Sequence, residues 1–155
     1  MLRADGDGGE SFEGEVAGGD AVRLTTSPKA ETSPKFSPDG KWIAFLSSRE
    51  GDKTQVWLLP RSGGEGSRLT DIKTGVDAFA WSPDSKRIAY TDNKLNLWVL
   101  EVSTGKSTKI DTRTYRGRGN TRPRWSPDSK WLTWSRDLKT HMSAVFVHSF
   151  ETGVK

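Results

Sequence analysis

The sequence predicts an all-β fold built from repeated four-stranded antiparallel blades, and three observations carry that expectation. A ten-residue unit is written three times, as FSPDGKWIAF, WSPDSKRIAY and WSPDSKWLTW, starting at residues 36, 81 and 125, with spacings of 45 and 44 residues. The hydrophobic runs between turn signals have the length of strands and are too short for helices. Seven Trp in 155 residues is a heavy load of large aromatics, suited to sheets that pack face to face. A period of this size with short strands is that of a β-propeller.

The elements follow in order. Residues 1–14 are rich in Gly and acids and read as a flexible leader. Residues 15–30 hold an outer strand centred on Val22, Arg23, Leu24 and Thr25, because Glu15–Leu24 repeats the spacing of Glu101–Ile110. Blade 1 spans 31–70, with strands at 32–36, 42–48, 55–60 and 67–70. Its first turn, Ser37-Pro38-Asp39-Gly40, has Pro where φ near −65° is wanted and Gly where positive φ is cheap. Blade 2 spans 76–110, with strands at 76–81, 87–91, 95–102 and 107–110. Blade 3 spans 120–155, with strands at 121–125, 131–135 and 143–150 and no outer strand of its own.

The chain thus reads as one outer strand, two whole blades and three inner strands. That phase is the one in which an N-terminal strand completes a last blade. Propellers usually have about four to eight blades, so closure within one chain is not expected. Residues 22–25 of each of two chains would instead cap residues 143–150 of the other, giving a six-bladed C₂ homodimer. A larger ring, or a truncated or engineered fragment of a longer propeller, would carry the same repeats.

Composition narrows the function classes. The formal charge is +4, but residues 1–20 hold one Arg against six acids, so the remainder is strongly basic. A basic surface tolerates anionic partners, yet basic surfaces are common and the Arg-Gly-Arg-Gly portion at 116–119 is a single copy of a pattern that RNA-binding tracts repeat, so nucleic acid is not the expected partner. The absence of Cys removes disulfides and thiolate metal sites. No apolar stretch approaches the length of a membrane span, and the N-terminus has no apolar signal core, so a soluble, cytoplasmic chain without a membrane partner is expected.

Catalytic motifs do not occur: there is no Gly-x-Ser-x-Gly elbow, no His-Glu-x-x-His, no P-loop and no dinucleotide fingerprint. The two histidines, His141 and His148, are seven apart with no marked nucleophile beside them. No catalytic, metal or cofactor residues are therefore assigned, and no cofactor is expected. Ser37, Asp39, Ser82, Asp84, Ser126 and Asp128 recur in every blade, which suits turn-building rather than a single active site. Lys41, Lys86 and Lys130 follow them as solvent-facing residues. Ser85 and Ser129 stand where Gly40 stands; positive φ at that position would cost a serine up to about 1 kcal/mol.

Three aromatic columns read as core: Phe36, Trp81 and Trp125; Phe45, Tyr90 and Trp134; Trp57, Trp98 and Phe146. Trp42 and Trp131 correspond to Arg87, so their column belongs near the surface or an interface edge. One segment departs from the repeat, Arg113-Thr114-Tyr115-Arg116-Gly117-Arg118-Gly119-Asn120-Thr121-Arg122-Pro123-Arg124. It leads into the innermost strand of blade 3, so its loop belongs at the channel mouth. Arg113, Tyr115, Arg116, Arg118, Arg122 and Arg124 make the candidate site for an anion or a peptide terminus, because the guanidinium fork matches carboxylates. The alternative is a solvated loop whose charges only keep the protein soluble.

The segments FSPDGKWIAFLSSR, WSPDSKRIAY and WSPDSKWLTWSRD resemble the blades of TolB-like propellers and of tricorn-like and prolyl-oligopeptidase-like peptidases. NKLNLWVLEVSTGKSTKI through SRDLKTHMSAVFVHSFETG is most similar to tricorn-like peptidases. KFSPDGKWIAFLSSREGDKTQVWLLPRSGGEGSRLT also resembles acylaminoacyl-peptidase relatives. The likeness covers residues 20–155 and implies a propeller that gates or docks substrate while a separate domain does the catalysis. Two functions remain open: a non-enzymatic, self-assembling half-ring with a scaffolding or peptide-docking role, or the gate of such a peptidase.

Overall fold

A computed structural model describes residues 19–112, 122–140 and 142–151. These residues form three antiparallel sheets and no helix. The first sheet is β1 (Glu31–Phe36), β2 (Trp42–Ser47), β3 (Gln55–Pro60) and β4 (Ser67–Arg68), paired in chain order. The second is β5 (Val76–Trp81), β6 (Arg87–Asp92), β7 (Asn96–Glu101) and β8 (Ser107–Thr112), again in chain order. The third has three strands, β9 (Arg124–Trp125), β10 (Trp131–Asp137) and β11 (Ser143–Ser149), with β10 in the centre.

Strand ends differ from the sequence expectation where side chains take over the backbone pairing. β4 stops at Arg68 because Thr70 Oγ1 accepts the Val56 N–H at 2.9 Å, while the Leu69 N–H donates to the Val56 carbonyl at 2.9 Å. β9 starts only after Pro123, which has no N–H to give to the ladder. β10 runs on to Asp137, whose carboxylate accepts the Ser143 hydroxyl at 2.5 Å across the hairpin.

The repeated turns are built as the sequence implies. In blade 1 the Ser37 hydroxyl donates to Asp39 Oδ1 at 2.6 Å, and the Trp42 N–H donates back to Ser37 Oγ at 3.0 Å. The Lys41 N–H also donates to Asp39 Oδ1, at 3.1 Å. Blades 2 and 3 repeat the Ser–Asp bond at 2.6 and 2.5 Å. Gly40, Ser85 and Ser129 have φ of 71°, 60° and 62°. The serines gain a partner for this conformation: the Asp39 N–H donates to Ser85 Oγ at 3.0 Å, and the Asp84 N–H to Ser129 Oγ at 2.9 Å. Each hydroxyl ties its turn to the turn of the preceding blade.

Strand alternation sends one face of each sheet to each neighbour. Ala44, Leu46, Val56 and Leu58 of blade 1 pack with Val76, Phe79, Ile88, Tyr90 and Leu100 of blade 2. Ala89, Leu97 and Val99 on the other face of blade 2 pack with Leu132 and Trp134 of blade 3. Blade 2 is therefore sandwiched, and blades 1 and 3 each keep a face that meets no further sheet among the described residues.

That geometry corrects one core assignment. Phe36 is 61% exposed, although its counterparts Trp81 and Trp125 are half-buried. Trp125 reaches back to blade 2, its indole N–H donating to the Ala80 carbonyl at 3.2 Å, whereas among the described residues no sheet lies before Phe36 for it to reach. On the far face of blade 3, Val145 is 81% and Val147 52% exposed, whereas the in-register Val56 and Leu58, and Leu97 and Val99, are buried.

Candidate functional site

The first strands of the three sheets, β1, β5 and β9, line a cleft of about 660 Å³. Two contacts hold its walls together across blade boundaries. Lys35 Nζ donates to the Phe79 carbonyl at 2.5 Å and lies 4.8 Å from the centre of the Phe79 ring. The Trp125 indole makes the equivalent bridge from blade 3 to blade 2.

Lys35, Ala80 and Arg124 are equivalent positions of the repeat, each immediately before the aromatic that leads into the turn. Arg122 stands two residues earlier, where blade 1 has Ser33 and blade 2 has Ala78. The cleft thus collects Lys35, Arg122 and Arg124 against one acid, Asp77, among its described lining residues. Loss of solvent around Lys35, with Arg124 and Arg122 beside it, holds its ammonium below the usual lysine pKa. Burial and the two neighbouring guanidinium groups all penalise the charged lysine, and a bound carboxylate would offset the repulsion among the three cations. Aromatic and apolar walls at Phe79, Trp81, Pro123 and Trp125 surround the cations.

Of the six residues singled out for anion binding, Arg122 and Arg124 are both exposed and both line this cleft. Arg113, Tyr115, Arg116 and Arg118 lie outside the described residues. Lys35 was missed, although its alignment with Arg124 in the repeat would have found it. His148, on β11, meets the Phe150 ring edge-on at 4.7 Å, and His141 lies outside the described residues. Among the described residues no group of three or more His, Cys, Asp or Glu is placed to hold a metal, and no helix is long and apolar enough to cross a membrane.

Val22, Arg23, Leu24 and Thr25, expected as a strand, carry no strand pairing among the described residues. They run instead beside Ile43, Phe45 and Leu59 on the outward face of blade 1, with a groove of roughly 300 Å³ between. The Thr25 hydroxyl donates to Glu31, which also receives Arg49. Arg49 in turn covers the Phe45 and Trp57 rings, at 5.1 and 4.8 Å from their centres. Phe45, Trp57 and Leu59 are buried as a result, without a sheet in front of them.

The position of this segment follows the repeat. Arg23-Leu24-Thr25 matches Arg68-Leu69-Thr70. Leu69, just beyond β4, packs on the front of blade 2, and Ile110 of β8 packs on the front of blade 3. Leu24 lies against the front of blade 1 in the same relation.

Similarity to known proteins agrees with this architecture. The model of the tricorn protease N-terminal β-propeller domain matches residues 8–96. An uncharacterized peptidase of Bacillus subtilis, YuxL, is 32% identical over 80% of this chain and 24% of its own length. The TolB homolog of Chlorobium chlorochromatii is 32% identical over 92% of this chain and 33% of its own. Among solved structures, an oligogalacturonate lyase from Vibrio parahaemolyticus superposes with a TM-score of 0.70 at 21% identity, covering 85% of this chain and 41% of that one. That likeness is one of fold. The chain spans a quarter to a third of the length of these two curated relatives. It is a propeller domain like those of TolB and the tricorn-like peptidases, and it belongs to the family of the tricorn protease N-terminal β-propeller domain.

Proposed function

We propose that this chain acts as a half-ring: two copies exchange residues 22–25, close into a six-bladed C₂ propeller, and present the channel-side cleft as a docking site for acidic peptides or carboxylate ends. One observation supports this reading above the others. Residues 22–25 lie in the place of the outer strand of a blade preceding blade 1, while the outer edge of β11 is unpaired among the described residues. By the register of β3 with β4 and of β7 with β8, Arg23 of one copy would face Phe146 of the other. The role is that of a scaffold, with Lys35, Arg122 and Arg124 supplying the charge for docking.

Light scattering coupled to size exclusion tests the assembly. The expected mass is twice the 17.2 kDa of the chain; a monodisperse, folded monomer would reject the half-ring. Removing residues 1–26 should abolish the dimer, whereas removing residues 1–14 should leave it intact. Similarity to YuxL, whose name marks it as a peptidase, favours a second reading, in which the same cleft gates substrate for a catalytic domain in a longer polypeptide. A chain that stays monomeric alone, yet binds acidic peptide in the cleft, would support that second reading over the first.

A further inference from the structure

Some of the residues that break the repeat sit where blades touch. Trp42, Arg87 and Trp131 are equivalent, each opening the second strand of its blade; Trp42 and Arg87 face the following blade, and Trp131 holds the same register position on blade 3. Arg61, Val102 and Phe150 are equivalent at the end of the third strand: their N–H groups donate to Lys41, Lys86 and Lys130 carbonyls at 2.9, 2.9 and 3.0 Å. These residues face the preceding blade. At the joint of blades 1 and 2, Trp42 and Val102 both pack against the shared core. At the joint of blades 2 and 3 the pair is Arg87 and Phe150, with the guanidinium 4.7 Å from the ring centre. Two members are left over: Trp131 on blade 3, 41% exposed, and Arg61 on blade 1, also exposed.

We infer that Trp131 of one copy stacks on Arg61 of a second copy, so that each seam of the closed ring is a cation–π pair with the roles of Arg87 and Phe150 reversed. This rests on the half-ring reading and names the contact that makes a second copy of this chain the occupant of the open faces. The turn beside it fits. At the interior joints a serine hydroxyl takes the N–H of the preceding blade's Asp39 or Asp84; at the seam the corresponding residue is Gly40. A Cβ there would lie 3.8 Å from Arg61 Nη1, so the guanidinium already occupies the side of the turn where the serine hydroxyls sit in the other blades. A lone aromatic and a lone arginine, left at complementary places by a repeat that pairs them elsewhere, are what a self-complementary C₂ interface requires.

The test is a reciprocal exchange. Trp131→Arg puts arginine against arginine at both seams of a homodimer, and Arg61→Trp puts tryptophan against tryptophan. Mixed together, the two variants form a heterodimer with one native pair and one reversed pair. Both positions are exposed, and circular dichroism of each variant verifies its fold. Trp131→Arg should raise the dimer dissociation constant at least tenfold. The mixed sample, with one variant mass-tagged and read by native mass spectrometry, should contain heterodimer in at least tenfold excess over either homodimer. Dimers that mix at the statistical ratio, or a Trp131→Arg variant that dimerises like the parent, would overturn the pairing while leaving the half-ring intact. A parent chain that is monomeric throughout would overturn both. Should either variant fail to fold, Arg61→Ala in the parent serves in its place: it should weaken the dimer at least threefold, and an unchanged dissociation constant would reject the contact.

Discussion

Ser129 offers a test of how the turns bind one blade to the next. It is buried, holds φ of 62°, and its hydroxyl accepts the Asp84 N–H at 2.9 Å. Two opposing contributions meet at this residue. The left-handed backbone costs a non-glycine residue about 1 kcal/mol, and the hydrogen bond returns about 0.5–1.5 kcal/mol. Ser129→Ala removes the bond and keeps the backbone cost, so it should destabilise by about 1 kcal/mol. Ser129→Gly removes the same bond and relieves the backbone, so the two contributions should cancel to within about 0.5 kcal/mol. Glycine should therefore be better tolerated than alanine by about 1 kcal/mol. Urea unfolding followed by tryptophan fluorescence measures both variants against the parent. If Ser129→Gly costs as much as Ser129→Ala, the backbone is not strained there and the trade-off proposed for the serine turns is wrong.

Other expectations follow from the same contacts. Asp111 accepts the Trp134 indole N–H at 2.7 Å and Arg136 at 2.6 Å, joining blade 2 to blade 3, so Asp111→Ala should cost about 1.5–3 kcal/mol in denaturant unfolding, as for bonds to a charged group. The carboxyls of Asp39, Asp84, Asp92 and Asp128 are held below their usual value of 3.8, Asp39 and Asp128 chiefly by the serine hydroxyls of their turns, and Asp84 and Asp92 by hydrogen bonds that outweigh burial. Depressed folded values mean that their contribution is complete above the unfolded pKa and is withdrawn as pH falls through the folded ones; unfolding free energy should drop below pH 4, and a flat profile down to pH 2.5 would contradict this. Replacing Arg122 and Arg124 together by Ser should weaken a fluorescein-labelled peptide ending in acidic residues about two- to thirtyfold at low salt, since exposed ion pairs are each worth about 0.2–1 kcal/mol. The difference should shrink in 0.5 M NaCl, and fluorescence anisotropy reads both.

Much of the fold was legible because the repeat states it three times. The strands of blades 1 and 2 fall within a residue or two of their expected limits, since the Ser-Pro-Asp turns and the alternating apolar residues fix both ends and faces. Sequence reasoning failed where a side chain does the work of the backbone, as at Thr70, or where a neighbour is missing, as at Phe36. The bulges between Thr32 and Lys35 and between Val76 and Ala78 left no local signal. In the cleft, attention to arginine density found Arg122 and Arg124 and passed over Lys35, a single charge inside an ordinary-looking strand. Only alignment of Lys35 with Ala80 and Arg124 places it in the cleft.

The departures from the repeat carry as much information as the repeat. Were every blade alike, any blade could follow any other, and ring size would be set by curvature alone. Here each joint has its own chemistry: an apolar pair at the first, arginine over phenylalanine at the second, and an unmatched tryptophan and arginine at the two ends. Such differences let a joint accept one neighbour and reject another: the Arg87 guanidinium that meets the Phe150 ring across the second joint is held in place by Glu101 of its own blade at 3.3 Å. In the proposed half-ring, the unmatched Trp131 of blade 3 meets the unmatched Arg61 of blade 1 in a second copy, a joint distinct from the other two.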